Sequence, residues 1–206
     1  ALALLHLGQV QDLVSQALGQ LSLKVSAGLP LAQFCAYSQD CARVARALAG
    51  LLQYKQQAAY FAGLIHAMGE LVMRAASPRV PELDESCPPL DLNRAFMERH
   101  AFGFCYLDVS SALAKQAQLP QILCDALAYA DAPFDNDAYE PLAAVLHLAQ
   151  WRARANQLGL QKNALTVTFP SVVAEMMGLD IDMVLQQDPI DWSRQSSGRL
   201  PAATPT

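Results

Sequence analysis

The chain has 206 residues with a formal net charge of −5, and 53% of its residues are hydrophobic while only 16% are charged. This length and composition suit one domain of ordinary size with an apolar core that needs no disulfides or metals. The negative charge and the lack of any basic stripe argue against nucleic acid as a partner, because such proteins neutralise phosphates with clustered Lys and Arg.

The first half of the chain is predicted to be helical. Residues 10–21 carry apolar side chains at the i, i+3, i+4 and i+7 spacing of an amphipathic helix. A second helix is predicted for residues 30–52, because Pro30 suits a first helical turn. A third covers residues 61–76. Residues 78–91 contain four prolines and acidic side chains, a pattern that predicts a long loop.

The helical pattern resumes at Asn93. Residues 93–118 are predicted as helix with Gly103 as the expected break, and a short helix follows at residues 119–129. Residues 131–137 are turn-rich. The last long helix is predicted for residues 139–158, with Gly159 as its stop.

The C-terminal part has weaker signals. Residues 165–169 have β-like side chains but are too isolated for a sheet, and residues 170–178 and 180–187 are predicted as two short helices. We therefore expect an all-α, multi-helix bundle over residues 1–160 with a short, irregular helical extension at residues 161–187. The composition of residues 188–206 predicts a disordered tail.

The helix at residues 61–76 is the most informative element. Its apolar stripe is formed by Phe61, Leu64, Ile65, Met68, Leu71 and Val72, the spacing of a buried helix. A second face consists of Ala59, Ala62, Gly63, His66 and Glu70, mostly small residues that allow another backbone to come close. His66 alone on that face has obvious chemistry. A hydrolytic metal site would want a carboxylate beside it, but its neighbour is Ala67.

His66 and the other histidines have ordinary structural interpretations. We expect His66 to be a buried, hydrogen-bonded residue rather than a ligand or a base, His100 to lie on a solvated helix face, and His147 to be a packing residue. No two histidines have the i, i+4 spacing of a helical metal pair. The sequence contains no Gly-x-Ser-x-Gly elbow and no glycine-rich phosphate loop.

Cysteine usage and hydropathy indicate a cytoplasmic protein with no membrane partner. The five cysteines are odd in number and include no Cys-x-x-Cys pair, which fits a reducing compartment. No apolar run approaches the ~18 residues of a membrane span, and the first residues lack the features of a signal peptide. The cysteines are expected to be small core residues, except that Cys87 is expected to be exposed in its proline-rich loop.

An ordered series of motifs resembles the HDOD domain, a non-hydrolytic relative of the HD-type metal phosphohydrolases. Residues 61–72 resemble the family's "aGLLHdIGelvl" helix. The other matches, in family order, are residues 3–13 with "AI.lLG...lr.L", residues 37–49 with "W..S...A..ar.lA", Glu98 and Gly103 with "E...lG..H", residues 119–122 with "LP..i", and residues 140–160 with "l..vlhlAd.la...g". The resemblance implies a bundle of the HD/HDOD type in bacterial signal transduction. Because family domains start several helices earlier, we expect this one to be N-terminally incomplete.

The resemblance also locates the positions that bind metal in HD hydrolases. These positions hold Ser38 or Gln39, the pair His66-Ala67, Tyr106, the pair Ala130-Asp131, and Gln150. Since one histidine cannot hold Mg²⁺, Mn²⁺ or Fe, we expect no metal, no cofactor and no catalytic residue. A relic pocket, either a small polar cavity or a collapsed site, is assigned to His66, Glu70, Tyr106, Tyr129, Asp131 and Gln150. We favour collapse.

Three functions compete at this point. The leading hypothesis is a non-enzymatic regulatory module that acts through contact with another signalling protein or domain, or through homo-oligomer formation. The first alternative is a metal-dependent phosphohydrolase acting on nucleotides or phosphodiesters. The second is a metal-free sensor that binds a small ligand in the relic pocket.

Overall fold

Helices connected by turns form the described part of the computed structural model, which comprises residues 31–134 and 140–186. No strand occurs within those ranges, so the all-α prediction is confirmed. The predicted helix at residues 10–21 and the predicted tail at residues 188–206 lie outside the described residues, as does part of the turn at residues 131–137.

The helices follow one another with short connections. In chain order they are α1 (Leu31–Leu51), α2 (Gln56–Ile65), α3 (Met68–Ala76), α4 (Arg79–Glu82), a 3₁₀ turn (Leu83–Glu85), α5 (Arg94–Phe102), α6 (Tyr106–Gln116), α7 (Gln121–Ala128), α8 (Pro141–Gln157), α9 (Lys162–Thr168), α10 (Ser171–Met176) and α11 (Ile181–Gln186). Helix α1 packs against α2 and α8, and α6 packs against α3 and α7.

Several predicted boundaries are confirmed. Helix α5 ends at Gly103, whose φ of 82° is the left-handed conformation that glycine adopts without steric cost. Gly159 has a φ of 62° directly after the residue that caps α8. Glu140 is the N-cap residue of helix α8, and its carboxylate accepts the Leu142 N–H at 3.1 Å in the first turn.

The predicted helix at residues 61–76 is divided in two. Helix α2 ends at Ile65, α3 begins at Met68, and the two residues between them form a turn. Ser110 of α6 satisfies backbone groups at this break, because its hydroxyl donates to the His66 carbonyl at 2.7 Å and accepts the Gly69 N–H at 2.8 Å. This long-range partner offsets the cost of interrupting the helix, and it is invisible in a periodicity argument.

Burial of the α2–α3 faces differs from the predicted pattern. The apolar stripe is only half-buried at Phe61, Leu64, Met68 and Val72, whereas the small-residue face is wholly buried. A Cβ added to Gly63 would lie 2.6 Å from the Ala42 Cα, so the backbones of α1 and α2 are in direct contact. The expected close approach of another backbone is confirmed, and it directs this face to the core.

Two other segments are more helical than predicted. The predicted loop at residues 78–91 contains α4 and a 3₁₀ turn. The β-like residues 165–169 lie mostly within α9, which packs near the end of α8: the Trp151 indole N–H donates to the Thr168 hydroxyl at 3.1 Å, and the Phe169 ring lies edge-on to Trp151. Packing against α8 overrides the local β preference of these residues.

The C-terminal helices share the core of the bundle. Leu165, Ala174, Leu179 and Val184 are buried in the same hydrophobic cluster as α1 and α8. The domain boundary at residue 160 stays a prediction. In the described ranges, no helix is both long enough and apolar enough to cross a membrane.

The cysteine predictions are partly wrong. Cys41, Cys105 and Cys124 are buried as expected, but Cys87 is also buried and Cys35 is exposed. Cys87 is buried because its backbone carbonyl accepts a hydrogen bond from Arg94 at 2.6 Å, which holds the segment against the core.

Candidate functional site

His66 lies in the turn between α2 and α3 and is fully buried. Its Nδ1 is 2.7 Å from the Gly63 carbonyl oxygen, which can only accept, so Nδ1 carries the hydrogen and Nε2 holds the lone pair. Nε2 is buried and has no hydrogen-bond partner. Burial lowers the pKa of His66 to about 4, so the imidazole is neutral near pH 7. The expectation of a buried, hydrogen-bonded histidine is confirmed.

Two companion positions on α1 and α8 also carry buried polar atoms. Ser38 is buried whereas Gln39 is exposed, so the structure selects Ser38 as the inward residue. The Ser38 hydroxyl oxygen and the Gln150 amide nitrogen are buried without a hydrogen-bond partner. A hydroxyl and an amide nitrogen are poor substitutes for imidazole and carboxylate ligands, so these residues do not fit a divalent metal.

Tyr106 and Tyr129 have different surroundings. Tyr106 is buried at the start of α6, and its backbone N–H donates to Glu98 Oε2 at 2.7 Å. Burial raises the pKa of Tyr106 well above its ordinary value, so its phenol stays protonated. Tyr129 is half-buried and follows the last residue of α7.

Asp131 is held in a separate ion pair near the surface. Its carboxylate accepts hydrogen bonds from the Arg99 guanidinium, which also lies 3.3 Å from Asp108 Oδ1. The neighbouring Ala130 carbonyl accepts a hydrogen bond from His147 Nδ1 at 2.8 Å. Ala130 and Asp131 therefore both make structural contacts. His147 has the packing role predicted for it.

Glu70 belongs to a buried charge network that the sequence analysis missed. Its Oε1 accepts from Arg74 Nε at 2.8 Å and from Arg94 Nη2 at 3.2 Å. Asp84 accepts from both arginines, at 2.6 Å and 3.0 Å, and Glu98 accepts from Arg94 Nε at 2.7 Å. The i, i+4 spacing of Glu70 with Arg74 and of Arg94 with Glu98 is the signal that could have indicated it.

Arg94 is the centre of this network. Its remaining hydrogen bonds go to the Val80 carbonyl at 3.0 Å and to the Cys87 carbonyl. All five N–H donors of the guanidinium therefore have partners, and the side chain is fully buried. Two backbone carbonyls of the segment at residues 79–91 are bound in this way, which explains why a proline-rich stretch is ordered on the core.

Protonation of Glu70 balances the charges in the network. Burial raises the pKa of Glu70 to about 8, and Glu98 beside it acts in the same direction, while the two arginines oppose the shift. Glu70 and Glu98 both accept hydrogen bonds from the Arg94 guanidinium, so their carboxyl groups lie close together, and this proximity favours a proton on one of them. With Glu70 neutral, two arginines face two carboxylates.

The predicted site residues are brought together only in part. Arg94 joins Glu70 to Glu98, which accepts the Tyr106 N–H, and Ser110 links the His66 carbonyl to the start of α3. Asp131 belongs instead to the Arg99 ion pair. Among the described residues, no three His, Cys, Asp or Glu side chains are arranged to hold a metal ion. The collapse of the relic pocket stays a prediction.

Comparisons with known proteins bear on the fold and the family. A family model described as HDOD domain matches residues 1–133, so the resemblance inferred from the motifs is confirmed. A "Putative phosphohydrolase" from Shewanella amazonensis SB2B has a TM-score of 0.65 and 20% identity, over 87% of this chain and 68% of that protein. A comparison with curated proteins found no match.

A second similar structure is a "Putative signal transduction protein" from Marinobacter aquaeolei VT8. Its TM-score is 0.52 with 20% identity, over 73% of this chain and 35% of the other. The present chain therefore spans about a third of the length of the Marinobacter protein. At this level of identity, both similarities establish the fold alone, and the prediction of an HD/HDOD-type bundle is confirmed.

Proposed function

We propose that this chain, which belongs to the HDOD domain family, is a non-enzymatic module of bacterial signal transduction that acts by contact with another signalling protein or domain. The chemistry at the former ligand positions carries the proposal. His66 retains a lone pair, but the companion positions of the motif hold Ser38, Tyr106 and Gln150, which offer a hydroxyl, a neutral phenol and an amide. Such a set cannot activate water through a bound cation.

Two further observations support the setting. The Marinobacter protein is named for signal transduction and is about three times as long as the region matched here. All five cysteines of this chain are free thiols, as expected in the reducing cytoplasm of a bacterium.

Elemental analysis combined with a hydrolysis assay tests the non-enzymatic part of the proposal. Protein purified without chelators should contain far less than one equivalent of Fe, Mn or Mg, and it should release no phosphate from nucleotides or phosphodiesters. Interaction is tested on the same sample, by cross-linking to candidate signalling partners and by its oligomeric state. A stoichiometric metal together with turnover that disappears in His66→Ala would contradict the proposal.

A metal-dependent phosphohydrolase is the second candidate. It is favoured by the unpartnered lone pair of His66 Nε2 and by the name of the similar Shewanella protein. The residues at the companion positions do not fit a divalent metal, so we derive no catalytic step for it.

A metal-free sensor is the third candidate. It is favoured by the three buried polar atoms without partners on Ser38, His66 and Gln150, since such atoms cost free energy unless a ligand or water pairs with them. Thermal-shift screening with nucleotides and cyclic dinucleotides tests it, because a ligand specific for the folded state raises the melting temperature. The absence of a shift with every compound would remove its support.

A further inference from the structure

A cavity of about 510 Å³ opens between the C-terminal half of α1 and the first turns of α2. It shares no residue with the site at His66 or with the buried charge network. We call this cavity the basic groove; its floor is formed by Ala47, Gly50 and Leu51 and its rim by Arg43, Arg46, Gln56 and Tyr60.

The floor of the basic groove is apolar and open. Ala47, Gly50 and Leu51 are all half-buried. A Cβ added to Gly50 would lie 3.5 Å from the Gln56 side chain, so the missing side chain leaves room above this turn of the helix. An aliphatic side chain of a partner fits such a floor, because it would remove apolar surface on both sides from water.

Most polar side chains on the rim make no hydrogen bond to the described part of the chain. Arg46 is exposed and has no ion pair or hydrogen bond in the described part of the chain, and the Gln56 amide and Tyr60 hydroxyl likewise have none there. Arg43 is 54% exposed, and its ion-pair partner is Asp40 at a long 3.7 Å. Among the residues that the structure describes, no carboxylate lines the groove.

The charge of the groove contrasts with that of the whole molecule. Lys55, also exposed, lies directly before Gln56 and adds a third cation to this region. The chain as a whole has a net charge of −5, so the groove is a local positive area on an acidic protein. Arginine guanidinium groups bind carboxylates in bidentate geometry, and a local field of this sign steers acidic partners to the groove.

We infer that the basic groove docks an acidic segment of a partner protein, with an aliphatic side chain on the Ala47–Leu51 floor and carboxylates bound by Arg43 and Arg46. The inference rests on the proposed function and names the chemistry of the partner that the module contacts. A peptide is favoured over a free phosphate because the groove combines an apolar floor with its cationic rim.

The probe is a displayed library of random twelve-residue peptides selected on the full chain. Peptides that bind should be enriched in Asp and Glu next to Leu, Ile or Val. Their affinity should fall at least about tenfold in Arg46→Glu, since charge reversal turns attraction into repulsion, and it should weaken as NaCl rises from about 0.05 M to about 0.5 M. Arg46 is exposed, so this variant should fold normally.

Lys115→Glu is the matched control. Lys115 is exposed on α6, a helix remote from the groove-lining residues, and its substitution changes the net charge equally. It should leave peptide affinity within about twofold. Equal binding to wild type and Arg46→Glu, or a library without acidic binders, would overturn this inference while leaving the signalling proposal to its own tests. A shift of the Arg46 Nε resonance by inorganic phosphate, with no peptide effect, would also overturn it.

Discussion

At the scale of single residues, His66 shows how a catalytic residue type can take a structural role. Its Nδ1–H donates a hydrogen bond to the Gly63 carbonyl, and its backbone carbonyl accepts one from the Ser110 hydroxyl. Its ring centroid lies 5.3 Å from that of Tyr37. These contacts fix the ring in the turn that separates α2 from α3. The lone pair of Nε2 receives no hydrogen bond. The buried ring stays neutral only while the pH is above its lowered pKa.

His66 should make the fold acid-sensitive. Its pKa is about 4 in the folded protein against 6.5 ordinarily, so the unfolded chain gains a proton first. Relative to a variant that lacks this imidazole, the free energy of unfolding of the wild type should therefore fall as pH falls from 6.5 to 4, by about 1.4 kcal/mol per pH unit. His66→Asn, whose amide can donate to the same carbonyl, is that variant, and the difference between the two proteins is measured by urea denaturation across this pH range.

The exposed His100 provides the control for this experiment. His100→Asn should retain the wild-type pH profile, because its side chain is exposed and can be replaced without disturbing the core. An NMR titration in which His66 takes up its proton near pH 6.5 would contradict the assignment.

At the scale of elements, the small face of α2 determines how the bundle is built. Gly63 allows the α2 backbone to touch Ala42 of α1, and α1 in turn packs on α8. Helix α3 then begins after the turn at His66-Ala67 and packs against α6. The half-buried apolar stripe that periodicity emphasises therefore contributes less to the centre of the bundle than the alanines and glycine opposite it.

Gly63→Ala should destabilise the protein even though alanine is the better helix former. The new Cβ would lie 2.6 Å from Ala42 Cα and 2.8 Å from Ala42 N, and backbone atoms cannot move aside as a flexible side chain can. We expect a loss of about 1–3 kcal/mol in the free energy of unfolding, measured by urea denaturation.

Gly50→Ala is the matched control within α1. Its Cβ would meet only the Gln56 side chain at 3.5 Å, so the gain in helix propensity, about 1 kcal/mol, should dominate. Equal stability of the two variants would show that α1 and α2 are not packed backbone to backbone.

At the scale of the whole molecule, two buried titratable groups act on stability in opposite directions. His66 favours the folded state as pH rises from 4 to 6.5, whereas Glu70 holds a proton in the fold that the unfolded chain releases above its ordinary pKa of 4.5. The two contributions offset each other between these values. Above pH 6.5 only the Glu70 contribution still changes with pH, and the free energy of unfolding should fall until about pH 8.

Glu70→Gln should remove that decline. Between pH 4.5 and 8 the free energy of unfolding of the wild type should lose about 1.4 kcal/mol per pH unit relative to the variant. The neutral amide has nearly the same shape as the carboxyl, and its oxygen can still accept from Arg74 and Arg94. Glu85 is exposed, so Glu85→Gln supplies the control. Parallel pH profiles for wild type and Glu70→Gln would contradict a protonated Glu70.

The sequence by itself determined the all-α class and most helix positions, because the 3.6-residue periodicity and the glycine stops are local signals. The HDOD family followed from the resemblance of an ordered series of motifs. The sequence also predicted that His66 is the one histidine at the ligand positions of the motif, since that prediction depends only on residue type and on the resemblance. It placed Glu70 and Asp131 in one pocket, but the structure pairs Glu70 with Arg74 and Arg94 and pairs Asp131 with Arg99. The buried charge network escaped notice because ion pairs within a helix leave only an i, i+4 trace and ion pairs between helices leave none.

Only the tertiary structure decided which face of α2 is the core and why the helix breaks at His66. Both depend on contacts between residues far apart in the chain: Gly63 with Ala42, and Ser110 with the His66 carbonyl. The same is true of the protonation of Glu70, since its pKa reflects burial beside Glu98. Local sequence sets what each segment can form, and desolvation between segments sets which polar groups stay charged.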